Sequence, residues 1–330
     1  MNALKHQQSR KIAFYLRGFT EHFLVLDRYY RFRLKRWLAR QNRYDRDEVF
    51  RRVNYYNKLD KPFTIPREAL RIGQIQKEKA TYLFDFRRIM RYFPADVRSY
   101  ARFGDITDVS EVPSFVKTRP IDGPNENSVL LRLNSIRHFR PITDHTPYRQ
   151  KKDTLVWRGM VKPNHPRSAL FEKFFGHPLL DIGMSKGRVT PEMENWQKPY
   201  LSIPEQLQHK FILSVEGNDV ATNLKWIAQS NSLCFMTKPK YESWFMEGTL
   251  QAGKHYVQVR DDYTDLPEKI THYINHPDEA EAIIHEMSCY YKRFTDTRKE
   301  QLIGLLVAEK YLRLSGQLHK APCISSKSIS

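Results

Sequence analysis

The amino-acid sequence predicts an α/β protein whose second half carries a parallel sheet, and three observations lead there. Residues 211–215 (FILSV) form a short apolar run with no water-facing side, as in a strand covered on both faces. The turn Gly217-Asn218-Asp219 follows, then Val220, Ala221, Leu224, Ile227 and Ala228 at helical spacing, then a second apolar run at 232–236. Around this unit, short strand patterns alternate with helical patterns, which is the rhythm of parallel strands joined by crossover helices.

Taken in order, the chain opens on a basic segment. Residues 1–60 hold 15 Lys or Arg against 6 Asp or Glu, half of the net charge of +18. Within it, residues 28–46 (RYYRFRLKRWLARQNRYDR) place Tyr30, Leu34, Trp37 and Leu38 at helical spacing. Arg31, Arg33, Lys35, Arg36, Arg40 and Arg43 occupy the remaining positions. A membrane-surface helix has this pattern, with Arg31, Lys35, Arg36 and Trp37 as contact residues. A helix packed on its own domain with a solvated basic face has it too. Asp45-Arg46-Asp47 matches the D-x-D pattern of metal–nucleotide sites, but no strand flanks it, so it reads as a solvated helix face.

Further on, residues 81–92 are aromatic and basic, and Phe93-Pro94-Ala95-Asp96 marks a break. Residues 112–118 (VPSFVKT) read as a strand, preceded by a turn-rich loop at 103–108 that carries Asp105 and Asp108. Residues 141–153 (PITDHTPYRQKKD) are polar and proline-bearing, as at a domain junction. Strands are expected at 154–157, 179–182 and 255–259, with helices at 167–175, 277–294 and 298–314. Asp265, Pro267 and Glu268 form a helix-capping signature. The tail at 316–330 is expected to fray.

Composition narrows the class. Hydrophobic residues make up 40% and aromatics 13% of 330 residues, as in a folded protein with real cores. Lys and Arg outnumber Asp and Glu by 55 to 37, which favours an anionic partner: nucleic acid, a phosphorylated substrate or an acidic membrane surface. Cys234, Cys289 and Cys323 form no C-x-x-C pair, which argues against a metal knuckle or disulfide framework and for reduced thiols. Charges interrupt every apolar run near the N-terminus, so no signal-peptide core is expected. No window approaches about 18 consecutive apolar residues. G-x-x-x-x-G-K-[ST], G-x-G-x-x-G, G-x-S-x-G and H-E-x-x-H are all absent.

Four clusters carry chemistry. Trp157-Arg158-Gly159 places a guanidinium at the end of the first strand, beside a Gly that lets a ligand approach, and Arg167 follows at the next helix start. Gly217-Asn218-Asp219 opens a helix that Asn218 or Asp219 can cap, with Thr222, Asn223 and Lys225 in its first turns. Free N–H groups and a cation there suit a phosphate, although an ordinary strand–helix–strand unit shows the same pattern. His255-Tyr256, with Tyr241 and Trp244, can stack on a base or sugar. Asp105 and Asp108 supply carboxylates. Basic groups at the carboxyl ends of one sheet point to a nucleotide-diphosphate site, because that edge is where α/β sheets bind ligands.

In this order the clusters resemble glycosyltransferase family 90, the CAP10-like group of bacterial lipopolysaccharide-core transferases and eukaryotic protein O-glucosyltransferases. The resemblance covers about residues 105–294. It rests on Ser114-Phe115-Val116-Lys117-Thr118, Trp157-Arg158-Gly159 with Arg167, residues 215–226, Tyr241-x-x-Trp244, and His255-Tyr256-Val257 followed by Asp265-Leu266. The bacterial lipooligosaccharide branch is the nearer one, through FGDITDVSEVPSFVKTRP and EGNDVATNLKW. The absent signal peptide, the absent C-terminal retrieval motif and the cysteine set depart from the eukaryotic branch.

The resemblance implies a GT-B-like architecture, two Rossmann-like domains facing across a cleft, with a basic N-terminal helical segment and a C-terminal helix. The expected division is 1–147 for the acceptor side, 148–295 for the donor nucleotide, and 296–330 for the last helix and frayed tail. The implied enzyme is an inverting, metal-independent hexosyltransferase that needs no cofactor and uses a UDP-sugar. Asp105 is its matching general base, with Asp108 as the alternative. Arg158 maps to the diphosphate-binding Arg, Arg167 to a second basic position, and Lys225 to the helix cation. Gly159, Gly217, Asn218, Asn223, Tyr241, His255 and Tyr256 complete the donor-side set. The expected acceptor is a lipid-anchored phosphorylated glycan of the lipopolysaccharide or lipooligosaccharide core, met in the cytoplasm at the inner-membrane surface. Two other readings stand beside it: the same chemistry on capsule or another glycan, and a basic nucleic-acid-binding protein.

Overall fold

The computed structural model describes residues 2–23, 27–67, 69–72, 80–162, 166–186 and 189–318. The expected frayed tail therefore lies outside the described residues from 319 onward. The chain forms two compact units: Met1–Ile136 with Asp296–Ser330, and Arg137–Thr295. The proline-bearing stretch 141–153 belongs to the second unit. There the buried Lys151 ammonium donates to Asp144 (2.6 Å), the Leu207 carbonyl (2.6 Å) and Ser232 (2.9 Å).

The first unit is mainly helical: Asn2–Phe23, Asp27–Leu38, Arg46–Tyr56, Ala80–Met90 and Thr297–Leu314. Ser114–Val116 pairs in parallel with Ser128–Leu130, in a short sheet with both strands buried. The Thr297–Leu314 helix supplies much of the core, because Leu302, Ile303, Leu305, Leu306, Val307, Ala308, Tyr311 and Leu312 are all buried. A helix apolar on so many sides cannot stand alone in water. The last helix therefore folds with the N-terminal segment instead of forming an appendage. Its Tyr311 ring lies 4.3 Å from Phe115, and its hydroxyl donates to the Pro113 carbonyl at 2.8 Å. Arg52 donates to both oxygens of Glu300, at 2.6 and 2.9 Å, with both side chains out of water.

Asp45-Arg46-Asp47 is exposed, as a solvated helix face is, and Asp45 caps the Arg46–Tyr56 helix, accepting from the N–H groups of Asp47 (3.0 Å) and Glu48 (3.3 Å). In the Asp27–Leu38 helix, Tyr30 and Trp37 pack edge-on to the buried Tyr92, at 5.1 and 6.5 Å, and the Arg91 guanidinium covers Tyr30 at 3.6 Å. Trp37 is thus half-buried against its own unit. Lys35 and Arg36 are exposed and Arg31 is half-buried.

The second unit is built on a five-stranded parallel sheet. Its order is Val257–Gln258, Leu233–Met236, His209–Leu213, Lys152–Met160, Leu180–Lys186. Leu155 lies opposite both Phe211 and Leu180, and Phe211 lies opposite Leu233, so the centre of the sheet is a continuous apolar layer. All five residues of the His209–Leu213 strand are buried, as expected of the apolar run from 211, but the strand starts two residues earlier and stops at Leu213, leaving Ser214 and Val215 in the loop. The helices Pro166–Phe174, Leu266–Asn275 and Pro277–Lys292 accompany the sheet. Asp265 does stand at the start of Leu266–Asn275, but its carboxylate accepts from the Arg260 N–H (3.0 Å) and pairs with Lys269 (2.7 Å) instead of capping.

The helix expected from residue 220 is the main departure. Only Leu224–Ile227 is helical, and residues 214–223 form a loop. The Asn223 amide donates to the Leu213 carbonyl (2.9 Å) and its oxygen accepts from the Ser214 hydroxyl (3.2 Å), so a side chain satisfies the strand end. Val220 and Ala221 are buried, and the local side-chain bonds compete successfully with a helix. Asn218 and Asp219 therefore cap nothing. The N-cap is Asn223, without a side-chain capping bond.

The Arg52–Glu300 pair yields a stability test. Arg52→Ala should lower the unfolding free energy by about 3–5 kcal/mol, since it strands a buried carboxylate. The double variant Arg52→Met/Glu300→Leu should recover much of that loss, as read by urea unfolding.

Candidate active site

The carboxyl edge of the parallel sheet gathers one group of polar side chains. Arg167, one residue into the Pro166–Phe174 helix, reaches across two strand ends. Its guanidinium donates to the carbonyls of Val215 (2.8 Å), Glu216 (3.1 Å) and Met160 (2.9 Å). It also lies over the Trp157 ring at 5.3 Å. These acceptors are neutral carbonyls, which orient a guanidinium without cancelling its charge. Gly217 makes the arrangement possible, because a Cβ there would lie 2.9 Å from the Arg167 Nη2. Next to it the exposed Asn218 accepts from Lys162 at 3.0 Å.

Glu216 holds the other side of this loop. Its carboxylate accepts from the backbone N–H groups of Lys240 (3.1 and 3.2 Å) and Tyr241 (3.2 Å). Burial pushes its carboxyl up to about 7, against the opposing effect of the Tyr241 and Lys240 N–H donors. Tyr263 is buried in a left-handed conformation (φ 62°), and Arg167 acts on its phenol. Neither Glu216 nor Tyr263 was singled out from sequence. The signal for Glu216 was present: an acid directly after the apolar run 211–215 and directly before a Gly. A positive φ at Tyr263 leaves no sequence trace.

Other expected donor-side residues stand elsewhere. The Lys152–Met160 strand runs past its expected end, so Arg158 and Gly159 lie inside it, opposite Gly183 and Met184. Arg158 is tied into the sheet. It donates to the carbonyls of Pro199 (3.1 Å), Trp157 (3.0 Å) and Asp181 (2.6 Å), and pairs with the Asp181 carboxylate (2.9 Å), which Lys198 also meets (2.9 Å). Gly159 leaves space for the Trp157 indole, 2.6 Å from where its Cβ would be. Lys225 is completely buried and paired with Glu247, which also accepts from the Ser243 N–H (2.6 Å) and hydroxyl (2.9 Å). Its ammonium is committed to the interior because a buried charge needs an opposite charge.

His255 and Tyr256 precede the Val257–Gln258 strand, which puts them at its amino end, away from the Arg167 edge. The His255 Nδ1 accepts from the Gln251 N–H (2.9 Å), its ring packs 5.1 Å from Tyr290, and burial lowers its pKa. The Tyr256 hydroxyl donates to Gln258 (3.3 Å). Trp244 is buried, whereas Tyr241 is half-buried beside Glu216. Asn223 closes the strand end, as described above.

In the first unit, Asp105 lies in the loop before Ser114–Val116. Its carboxylate accepts from Lys117 at 2.6 Å; the Lys117 side chain is 3% exposed and that of Asp105 is 33% exposed. Thr118 donates to the Ile106 carbonyl at 3.1 Å, so two consecutive side chains after the strand hold the loop. Asp108 differs: its side chain is 69% exposed and paired with Arg102 at 2.7 Å, a hydrogen bond that lowers its pKa. Of the two carboxylates, only Asp105 has a buried cation to fix its orientation while one side stays open to water.

Among the described residues, His272, His276 and Glu279 are close enough together to hold a metal ion, and all three are exposed. Their own bonds explain the grouping. His272 Nε2 meets Glu279 (2.9 Å), His276 Nδ1 meets the His272 carbonyl (2.8 Å), and the two rings stack at 4.2 Å. None belongs to the group around Arg167.

Glu216 sets a pH dependence of stability. Its carboxyl is raised above the ordinary 4.5 in the folded state, so the folded chain binds more protons than the unfolded chain between about pH 4.5 and 7. The stabilisation from its protonated form is present below that window and is lost as pH rises through it. Melting temperature should fall across the window in the native protein, and Glu216→Gln should flatten that part of the curve. Parallel curves for the two proteins would show that Glu216 does not titrate there.

Comparison with known proteins places these units. The family description "Glycosyl transferase family 90" matches residues 132–298. The chain is 43% identical over 321 residues to the "O-glucosyltransferase LpsA" of Dichelobacter nodosus, covering 94% of this chain and 97% of that protein. The chain belongs to glycosyl transferase family 90, and it is a glycosyltransferase.

Proposed function

We propose that the protein transfers a hexose, with inversion, from a UDP-sugar to a hydroxyl of a lipopolysaccharide or lipooligosaccharide core. The observation that carries this reading is Arg167. It is a guanidinium held by three carbonyls at the carboxyl edge of a parallel sheet, beside a loop whose Gly217 leaves room for it. The five-stranded parallel sheet is consistent with the GT-B-like donor domain that this reading calls for. The name of the relative from Dichelobacter nodosus supports a glucosyl group and a lipopolysaccharide-related acceptor. A capsule or other glycan acceptor would use the same chemistry.

In the proposed reaction the acceptor oxygen attacks the anomeric carbon as the bond to the diphosphate oxygen breaks. The acceptor's proton passes to the Asp105 carboxylate while the new bond forms. One carboxylate suffices, because no covalent glycosyl intermediate is needed. Lys117 orients Asp105 and Thr118 fixes its loop. The departing UDP carries negative charge, which Arg167 stabilises without a required metal or cofactor. Asn218, Lys162 and Tyr241, all bonded within the same loop region, complete the donor side. Arg158, bound to Asp181, keeps the strand beneath it in register. We place the acceptor on a lipid anchor, so that the enzyme works in the cytoplasm at the inner-membrane surface. Among the described residues no helix is long and apolar enough to cross a membrane.

UDP release with UDP-glucose, UDP-galactose and UDP-xylose, each with a core-glycan acceptor, tests the donor. Asp105→Asn should keep UDP binding and lower kcat by about 10²–10⁴-fold, whereas Asp108→Asn should stay near the native rate. Arg167→Ala should lower kcat/KM by about 10²–10³-fold. A native protein with no thermal shift on adding UDP would undo the reading.

A further inference from the structure

Six of the ten large hydrophobic side chains exposed among the described residues lie between positions 12 and 32: Ile12, Tyr15, Leu16, Phe19, Tyr29 and Phe32. This concentration is not the result of an undocked helix. Asn2–Phe23 packs on the Ala80–Met90 helix through Phe14, 6.1 Å from the Phe84 ring, and through Gly18, where a Cβ would lie 2.4 Å from that ring. Phe19 also packs on Phe84, at 5.4 Å between ring centroids, whereas Ile12 and Leu16, four residues apart, lie on the side of the helix away from Gly18. Ile12 is 59% exposed and Leu16 is 62% exposed, although the helix already has a partner.

The next helix repeats the pattern. Tyr30 and Trp37 pack on Tyr92, yet Phe32 is 78% exposed and Tyr29 is 54% exposed, with Lys35 and Arg36 exposed on the same helix. Residues 1–43 hold 11 Lys or Arg and 2 Asp or Glu. Apolar side chains in water, surrounded by cations, match a surface that is apolar beneath and anionic above. An anionic bilayer has that structure. A second copy of the same face would bring two strongly positive segments together. A nucleic acid would satisfy the cations but offer nothing to Ile12 and Leu16.

We propose that the two N-terminal helices form a lipid-contact surface for anionic bilayers. Ile12, Leu16 and Phe32 enter the boundary between headgroups and acyl chains, and the neighbouring Lys and Arg side chains stay at the phosphates. The helices lie on the membrane and do not span it. This deepens the reading of a lipid-anchored acceptor by naming the element that meets the bilayer, and it places that element outside the transfer chemistry.

The test uses the full-length protein with vesicles of phosphatidylcholine and vesicles containing phosphatidylglycerol as well, read by co-sedimentation. The native protein should bind the anionic vesicles, less so in high salt. Ile12→Ser/Leu16→Ser should bind them at least about tenfold more weakly, with its UDP-induced thermal shift unchanged. Phe32→Ser, on a separate helix, should weaken binding without the double change. Equal vesicle binding by native and variant proteins would overturn the proposal, as would failure of the native protein to bind, or a dimer by light scattering that the double variant abolishes. Vesicle binding with no UDP-sugar turnover would sink the transferase reading alone, and turnover with no vesicle binding would sink only this one.

Discussion

A charge taken out of water has to meet an opposite charge, and this requirement organises both units. The chain carries 55 Lys and Arg, and several are buried: Arg52 with Glu300, Lys117 with Asp105, Lys151 with Asp144, Lys225 with Glu247. Each pair joins segments distant in sequence or fixes a loop. Arg52–Glu300 ties the last helix to the Arg46–Tyr56 helix, and Lys151–Asp144 fastens the start of the second unit to its sheet. These pairs are neutral, so the excess of +18 lies outside them, half of it in residues 1–60. A basic residue near a strand end is available to a ligand only where the fold has not already spent its charge on a neighbour.

This explains which parts of the site could be read in the sequence. Strands were legible because a run such as 211–215 is too short for a buried helix and is followed by a Gly-bearing turn, although its last two residues belong to the loop. Arg167 was legible because a helix that starts just after a strand returns its first turn to the sheet edge. Lys225 looked equivalent by spacing, but Glu247, 22 residues further on, decides its position, and no local pattern announces that partner. His255 and Tyr256 failed for a topological reason. A two-residue strand begins after them, and a shift of two residues moves a side chain from one end of a short sheet to the other.

The helix expected from residue 220 shows the competition in its clearest form. Val220, Ala221, Leu224, Ile227 and Ala228 have helical spacing, and all are buried. Helical spacing and burial do not make a helix when side chains can satisfy the backbone more cheaply. Asn223 satisfies the strand end directly, and the Gly217 N–H turns back to the Asp219 carbonyl at 3.0 Å. Burial was read correctly from the pattern, but the backbone conformation was not.

That substitution changes where leaving-group stabilisation must come from. A long helix directed at a diphosphate would contribute its unsatisfied N–H groups and the positive end of its dipole. One turn at Leu224–Ile227 contributes little of either, and its cation faces Glu247. The positive potential at this edge then has to come from side chains: Arg167 fixed by three carbonyls, with Lys162 beside Asn218. Side-chain charge depends on orientation in a way that a helix dipole does not, so the residues that hold Arg167 matter as much as the arginine itself. Gly217 is one of them: a Cβ there would lie 2.9 Å from the Arg167 Nη2, so a side chain would make the guanidinium shift from its position on the carbonyls.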